Sequence, residues 1–431
     1  MLIIISDLHF VDGTAGKHNI NPHAFDYFFQ DINSIIDEKR NAIQEVKIVF
    51  LGDIFDLLRT WNWFGYPVQE RPWGTNPTPE NLKALEVHAE TLFDAVTDNS
   101  DNAASLKKIR EGLAAIQGKS PKFEAHYFPG NHDRLINQWL SLRQKVCAAL
   151  GLSHDPVYEF PHFKAFEDYR VFARHGHEFD CYNYEGGGAF RSEDYQQIPI
   201  GDPITTELLS KLPFELKKRL DTLTISPDEK ERIIRNFQEI DNVRPFGAVI
   251  EWLLYQVRDK PAWLINLIEE TVDVVIQEFN DLEFVRAWFG RHDKWLDPFD
   301  KADQIQIGLY ILEKFNVFSL EKLFSLVTKA GDLKFADPLM AAAPDEAALL
   351  DPRLRYVVYG HTHDPLVVPM RVRGDQEQIY LNTGTWRARY QKSFRDHSFI
   401  SWKNMTYVIF YRDDERPGRE ADFETWTGTL K

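Results

Sequence analysis

Five short apolar runs, each halted by a carboxylate, an imidazole or a glycine, constrain this chain more than any other feature. Leu2–Ser6 is β-branched and meets Asp7-Leu8-His9, and Val46–Leu51 ends at Gly52-Asp53-Ile54-Phe55-Asp56. Glu124–Phe128 ends at Pro129, followed by Gly130-Asn131-His132-Asp133. Arg170–Arg174 leads into His175-Gly176-His177, and Leu354–Tyr359 into Gly360-His361-Thr362-His363. Short apolar runs bounded by such residues read as buried strands. Helical patterns over Phe25–Lys39 and Asn81–Val96 separate the first three. Strands alternating with helices predict an α/β sheet with its chemistry at the strand ends. Gln378–Leu381, Ser398–Trp402 and Tyr407–Tyr411 read as successive strands with turns between them, so the C-terminal part is expected to be antiparallel β.

The stretch from residue 181 to 350 has another character. Thr205–Leu223, Asp228–Glu239, Phe246–Val257, Ala262–Phe279, Leu282–Trp295 and Leu320–Lys329 carry apolar residues at helical spacing. Asp228, Pro261 and Pro298 stand where helices would start or break. A chain of 431 residues suits two domains, or one domain with a large insertion. The expected organisation is a core of residues 1–180 and 351–431 interrupted by a helical insertion over 181–350. Ala330–Leu350 would form the return linker.

Composition narrows the function classes. With 50 Lys and Arg against 66 Asp and Glu, the formal charge is −16, which argues against a general grip on nucleic-acid backbones. A metal ion would supply its own local positive charge. Two cysteines, Cys147 and Cys181, are too few for a disulfide framework and read as thiols in a reducing compartment. Met1-Leu2-Ile3-Ile4-Ile5 lacks the basic start and long apolar stretch of a secretory signal. No run of about 18 apolar residues occurs, so no membrane span is expected, and the expected location is the cytoplasm.

Taken singly, each of the five blocks is an ordinary strand end. Jointly they gather carboxylate, imidazole and amide oxygen donors with no thiolate, a set that suits Mn²⁺, Fe or Zn²⁺. In Asp7-Leu8-His9 and His361-Thr362-His363 the paired residues are two apart and would share one face of a strand. Gly52, Gly130 and Gly360 permit tight turns or close backbone approach at those ends.

This ordered set resembles the calcineurin-like metallophosphoesterase superfamily, whose signature is D-x-H, G-D-x-x-D, G-N-H-[DE], H and G-H-x-H. All five blocks are present in order between residues 7 and 363. The resemblance implies an αββα sandwich, two packed mixed β-sheets flanked by helices, here carrying a mostly α-helical insertion. It implies two divalent metal ions, with Mn²⁺ the leading choice and Fe or Zn²⁺ as alternatives. Asp7, His9 and His363 would hold one ion, Asn131, His175 and His361 the other, and Asp53 would bridge them. A hydroxide between ions about 3.5–4 Å apart would attack phosphorus in line. His132 would protonate the leaving oxygen as general acid, with Asp56 fixing its ring. Asp133 would support the loop. His177 could replace His175, because it lies two residues on; the family pattern takes the first of such a pair. Arg134 could reach a substrate phosphate or form a salt bridge.

The implied reaction is hydrolysis of a phosphomonoester, phosphodiester or pyrophosphate bond. Gly-Asp-Ile-Phe-Asp, His-Gly-His-Glu-Phe-Asp and Leu381-Asn382-Thr383-Gly384-Thr385-Trp386 look most like the bacterial branch of UDP-2,3-diacylglucosamine diphosphatases. The chain departs from that branch in its length, and in carrying His132 where those enzymes typically carry Arg. A nuclease of the same superfamily is the other alternative, and would need a basic strip from Arg371, Arg373, Arg387 and Arg389. The expected partner is a small-molecule or lipid-linked phosphate ester. The insertion could be a lid, an acyl pocket built on Ile250–Val257 and Ala262–Ile276, a self-contained core, or the interface of a homo-oligomer. The Pro/Gly-rich loop Gly65–Pro79, with Trp61, Trp63 and Trp73 on or near it, could present an aromatic face to a sugar or base, or simply pack.

Overall fold

A computed structural model of the chain describes all residues except 18, 40–41, 188–189, 245–247, 259, 293–337, 375, 397, 416–421 and 430–431. Two mixed sheets organise it. The first has the order β11-β10-β1-β2-β3, built from β1 (Leu2–Ile5), β2 (Glu45–Leu51), β3 (Lys122–Phe128), β10 (Phe399–Phe410) and β11 (Phe423–Thr429), with β9 (Ala388–Lys392) on the free half of β10. β1, β2 and β3 are parallel, while β10 is antiparallel to β1. The second sheet has the order β4-β5-β6-β8-β7, from β4 (Phe163–Phe166), β5 (Val171–Arg174), β6 (Tyr356–Tyr359), β7 (Leu366–Arg373) and β8 (Gln376–Asn382). β5, β6 and β8 are parallel, and β4 and β7 are antiparallel edges.

The alternation of side chains along a strand stacks the two sheets. Leu2 and Ile4 join Val49, Leu51 and Phe128 in a layer shared with Val171, Ala173, Tyr356, Val358 and Leu381 of the second sheet. Ile3 and Ile5 point the other way, into a cluster with Phe25, Phe28 and Ile32 of α1 (His23–Glu38), Leu92 of α2 (Pro79–Asp98) and Ile109 of α3 (Ser100–Lys119). The outer face of the second sheet is covered by Leu339, Ala343 and Leu349 from the short helical turns after residue 338.

Helices at Lys211–Asp221, Pro227–Gln238, Val249–Val257, Ala262–Asp281 and Glu283–His292 share a cluster of their own, which includes Leu216, Phe237, Trp252, Ile268, Val272 and Trp288. Val249–Val257 also meets the core strands, with Trp252 beside Tyr390 and Tyr255 beside Phe399. Trp63 and Trp73 are fully buried, and the Trp73 indole donates to Glu207, so the loop after residue 65 packs rather than presenting an aromatic face. Cys147 and Cys181 form no disulfide. No described helix is long and apolar enough to cross a membrane.

Several local expectations need correction. Ser398–Trp402 and Tyr407–Tyr411 are one strand, β10, because Lys403–Thr406 contains neither Gly nor Pro, and the strand changes partner from β9 to β11. The C-terminal region is not purely antiparallel, since β6 and β8 run parallel. The pattern over Thr205–Leu223 opens with a π-helical stretch, Ile204–Ser210, before the α-helix. The helix expected over Leu320–Lys329 and the break at Pro298 lie outside the described residues.

Candidate metal centre

The C-terminal ends of β1, β2 and β3 in one sheet, and of β5 and β6 in the other, meet at one place. Asp7 and His9 follow β1, Asp53 follows β2, Asn131 follows β3, His175 follows β5, and His361 and His363 follow β6. Among the described residues seven non-glycine residues have positive φ, and five of them are Asp7, His9, Asp53, His361 and His363. That left-handed backbone is costly for residues with a Cβ and collects where side chains must be aimed. Gly52 has φ +85°, and a Cβ there would stand 2.3 Å from Nδ1 of His175. At Gly360 a Cβ would stand 2.5 Å from Oδ2 of Asp7. The two glycines let neighbouring strand ends close on each other.

Two donor groups result. In the first, Nε2 of His363 lies 3.3 Å from Oδ1 of Asp7 and 3.0 Å from Nε2 of His9. In the second, Nε2 of His175 lies 3.2 Å from Oδ2 of Asp53, and Nδ1 of His361 lies 3.1 Å from Oδ1 of Asn131. Asp7, His9 and His363 could hold one cation, and Asp53, His175 and His361 another. The same Oδ2 of Asp53 is 3.7 Å from Nε2 of His9, so this carboxylate stands between the groups. His9 also clusters with Asp56 and His132, because both rings hydrogen-bond Asp56.

The tautomers test whether this set suits a cation. Nδ1 of His175 faces the carbonyl of Leu51 at 2.8 Å and must donate, which leaves Nε2 as the metal-facing nitrogen. Nε2 of His361 faces Asp180 at 2.9 Å and Nδ1 of His9 faces Asp56 at 3.0 Å, so their other nitrogens carry the lone pairs. Nδ1 of His361 and Oδ1 of Asn131 are then two acceptors 3.1 Å apart, a contact that a cation between them would reconcile. Oδ1 of Asp7 and Nε2 of His175 are buried without a hydrogen-bond partner. The residues present fit a pair of divalent ions.

Electrostatics point the same way. Burial pushes Asp53 up, but the charges of His175 and His132 hold it well below the usual carboxylate range. Burial pushes His175 down, yet Asp53 overrides it and lifts the ring to about 10. Burial likewise lowers His132, and Asp56 and Asp53 raise it to about 10. A field this negative holds protons where it could hold cations. His132 is bound from Nδ1 to Oδ1 of Asp56 at 2.9 Å, and its backbone N–H donates to Oδ1 of Asp53 at 2.8 Å.

Other expected residues take definite positions. His177 lies outside the donor groups, its ring 5.4 Å from that of His175 and 6.1 Å from those of Tyr184 and Tyr195, and burial pushes it down to about 3. Asp133 accepts from the N–H of Ile54 and Gly130 and from the Tyr127 hydroxyl, tying the β2 and β3 loops together. Arg134 is buried with its Nε 3.0 Å and its Nη2 2.5 Å from Oδ2 of Asp202, which is the salt-bridged alternative. Of the four arginines named for a basic strip, Arg387 is buried against Asp241 and Arg389 pairs with Asp364.

Three neighbours of the centre escaped the sequence reading. Asp180 orients His361, Asn183 accepts from Asn131 at 3.2 Å, and Arg244 donates to Nδ1 of His363 at 2.8 Å. Asp180 closes the His-Gly-His-Glu-Phe-Asp segment, so its signal was present; Arg244 has none nearer than the fold. No protein-family model matches the chain, and no curated protein matches it.

Proposed function

We propose that this chain is a dinuclear metal-dependent phosphoesterase of the calcineurin-like type, hydrolysing a phosphomonoester, phosphodiester or pyrophosphate bond. One observation carries the reading: Asp53 of one oxygen and nitrogen donor group stands 3.7 Å from His9 of the other, with the His132 ring, held by Asp56, beside them. The stacked mixed sheets, with helices outside and donors at strand ends, support the αββα form of that fold.

Divalent ions bound there would polarise a phosphoryl oxygen and lower the pKa of water. Every other part belongs to the chain. Asp56 accepts from Nδ1 of His132 and, by favouring the charged ring, leaves Nε2–H as its second donor. His132 is 13% exposed, while Asp56 behind it is fully buried, so the ring is reachable and its partner is not. That arrangement suits a general acid that protonates a departing oxygen. Asp56 also fixes His9, so one carboxylate sets the orientation of a metal ligand and of the acid together.

The test is to strip the protein, reload it with Mn²⁺, and supply p-nitrophenyl phosphate and bis-p-nitrophenyl phosphate. About two ions per chain and metal-dependent turnover are expected. Asp53→Ala should lose both with the fold intact. Near-normal turnover in that variant, or less than one ion in the parent, would sink the reading.

A further inference from the structure

Besides Asn183, the helical insertion reaches the candidate metal centre through the turn Ile240–Asn242 and the two residues after it. Core side chains clamp this turn. Nη2 of Arg387 donates to Oδ2 of Asp241 at 2.9 Å and also to Asn242, Nη1 of Arg59 stands 3.5 Å from the same Asp241 oxygen, and the Arg244 N–H donates to the Tyr390 carbonyl at 2.8 Å. Arg244 itself uses Nη1 on the carbonyls of Asp241 at 2.8 Å and Val243 at 2.9 Å. Its Nη2 is thereby aimed at His363, a side chain of the first donor group, and Arg244 remains partly exposed.

An uncharged imidazole has one lone pair. His363 cannot accept from Arg244 through Nδ1 and also ligate a cation. If the cation takes Nε2, then Nδ1 carries the proton and repels the guanidinium N–H. If it takes Nδ1, it displaces Arg244 directly. In either case a bound cation frees one edge of a guanidinium that the clamped turn still holds beside the centre.

We propose that Arg244, supplied by the insertion, binds a non-bridging oxygen of the phosphoryl group at the metal centre and selects doubly charged phosphoryl groups over the singly charged group of a diester. The assignment rests on the phosphoesterase reading and deepens it. The chemistry is that of planar, charge-assisted donation from arginine to phosphate. A further positive charge at a centre already holding cations favours a monoester or terminal phosphate, which carries more charge on more oxygens.

The experiment compares the Mn²⁺-loaded parent with Arg244→Ala and Arg244→Lys. Metal content is read by elemental analysis, inorganic phosphate affinity by calorimetry, and kcat/KM on the two p-nitrophenyl esters. Arg244→Ala should keep its ions, bind inorganic phosphate at least tenfold more weakly, and lose more on the monoester than on the diester. Arg244→Lys, which keeps the charge but not the fork, should fall between. Phosphate affinity within twofold of the parent in both variants would overturn the assignment while leaving the phosphoesterase reading intact. Loss of metal in both would also overturn it, because Arg244 would then act through His363. A parent that holds its ions yet neither binds phosphate nor cleaves either ester would bring down the phosphoesterase reading itself, and the assignment with it.

Discussion

Replacing Asp202 by alanine tests whether Arg134 anchors the insertion or serves the substrate. The two side chains are 6% and 1% exposed, and two guanidinium nitrogens meet one carboxylate oxygen at 3.0 and 2.5 Å. Nη1 of Arg134 is buried and has no hydrogen-bond partner, so Asp202 is the group that balances this cation. Removing one partner of a buried pair leaves an uncompensated charge and costs roughly 3–5 kcal/mol. Unfolding entropy near 60 °C is about 2.1 cal/mol/K per residue, so 431 residues give roughly 0.9 kcal/mol/K. Asp202→Ala should therefore lower Tm by about 3–6 °C. The double variant Arg134→Met with Asp202→Leu, which removes both charges, should recover most of that loss, and a thermal double-mutant cycle measures the coupling. A Tm for Asp202→Ala within about 1 °C of the parent, together with a raised KM in Arg134→Met, would refute the anchoring role and return Arg134 to the phosphate.

Three further outcomes are expected. Asp56→Asn should lower the titration of His132 in metal-stripped protein from about 10, since Asp56 is the leading source of the lift; an unchanged NMR titration would contradict this. His126 and His162 are each pushed by burial to about 4 from 6.5, so the folded form binds fewer protons than the unfolded chain. Their contribution is intact above pH 6.5 and is lost as pH falls from there toward 4, at up to about 3 kcal/mol each; His162→Phe, which keeps the stacking on Tyr195, should flatten the acid limb of a denaturant-midpoint series, and an identical limb would refute the assignment. Gly360→Ala should cost the site at least one ion, because its Cβ would stand 2.5 Å from both Oδ2 of Asp7 and Oγ of Ser6; two ions retained would show that the strand ends can yield.

The candidate donors were legible in the sequence because each falls within four residues of a strand's end. Leu2–Ile5 and Tyr356–Tyr359 are apolar on both faces, as strands buried between a helical layer and a second sheet must be, and the polar residues at their ends stand out. The edge strands were harder to see. β11 (FETWTGT) and β9 (ARYQK) are mostly exposed or half-buried, carry no continuous apolar signal, and exist because β10 offers them a partner. Arg244 was hidden for another reason. Its partner is His363, distant in sequence, and no local spacing records such a meeting.

The insertion shows where periodicity stops informing. Helical spacing located its apolar cluster but carried no information about Asp202, Glu207 and Asp241. All three turn inward onto arginines of the core: Asp202 onto Arg134, Glu207 onto Arg71, and Asp241 onto Arg59 and Arg387. The insertion thus supplies carboxylates to buried cations of the core, of which Arg387 also stands 3.9 Å from the core's own Asp56. In return it places Arg244 against a donor of the metal centre. Removing one of those carboxylates takes a partner from a buried cation, whereas a mutation on the insertion's outer face does not. The polar residues that matter in this segment are therefore recognisable only by what they face, and the arginines on the core side are the groups that identify them.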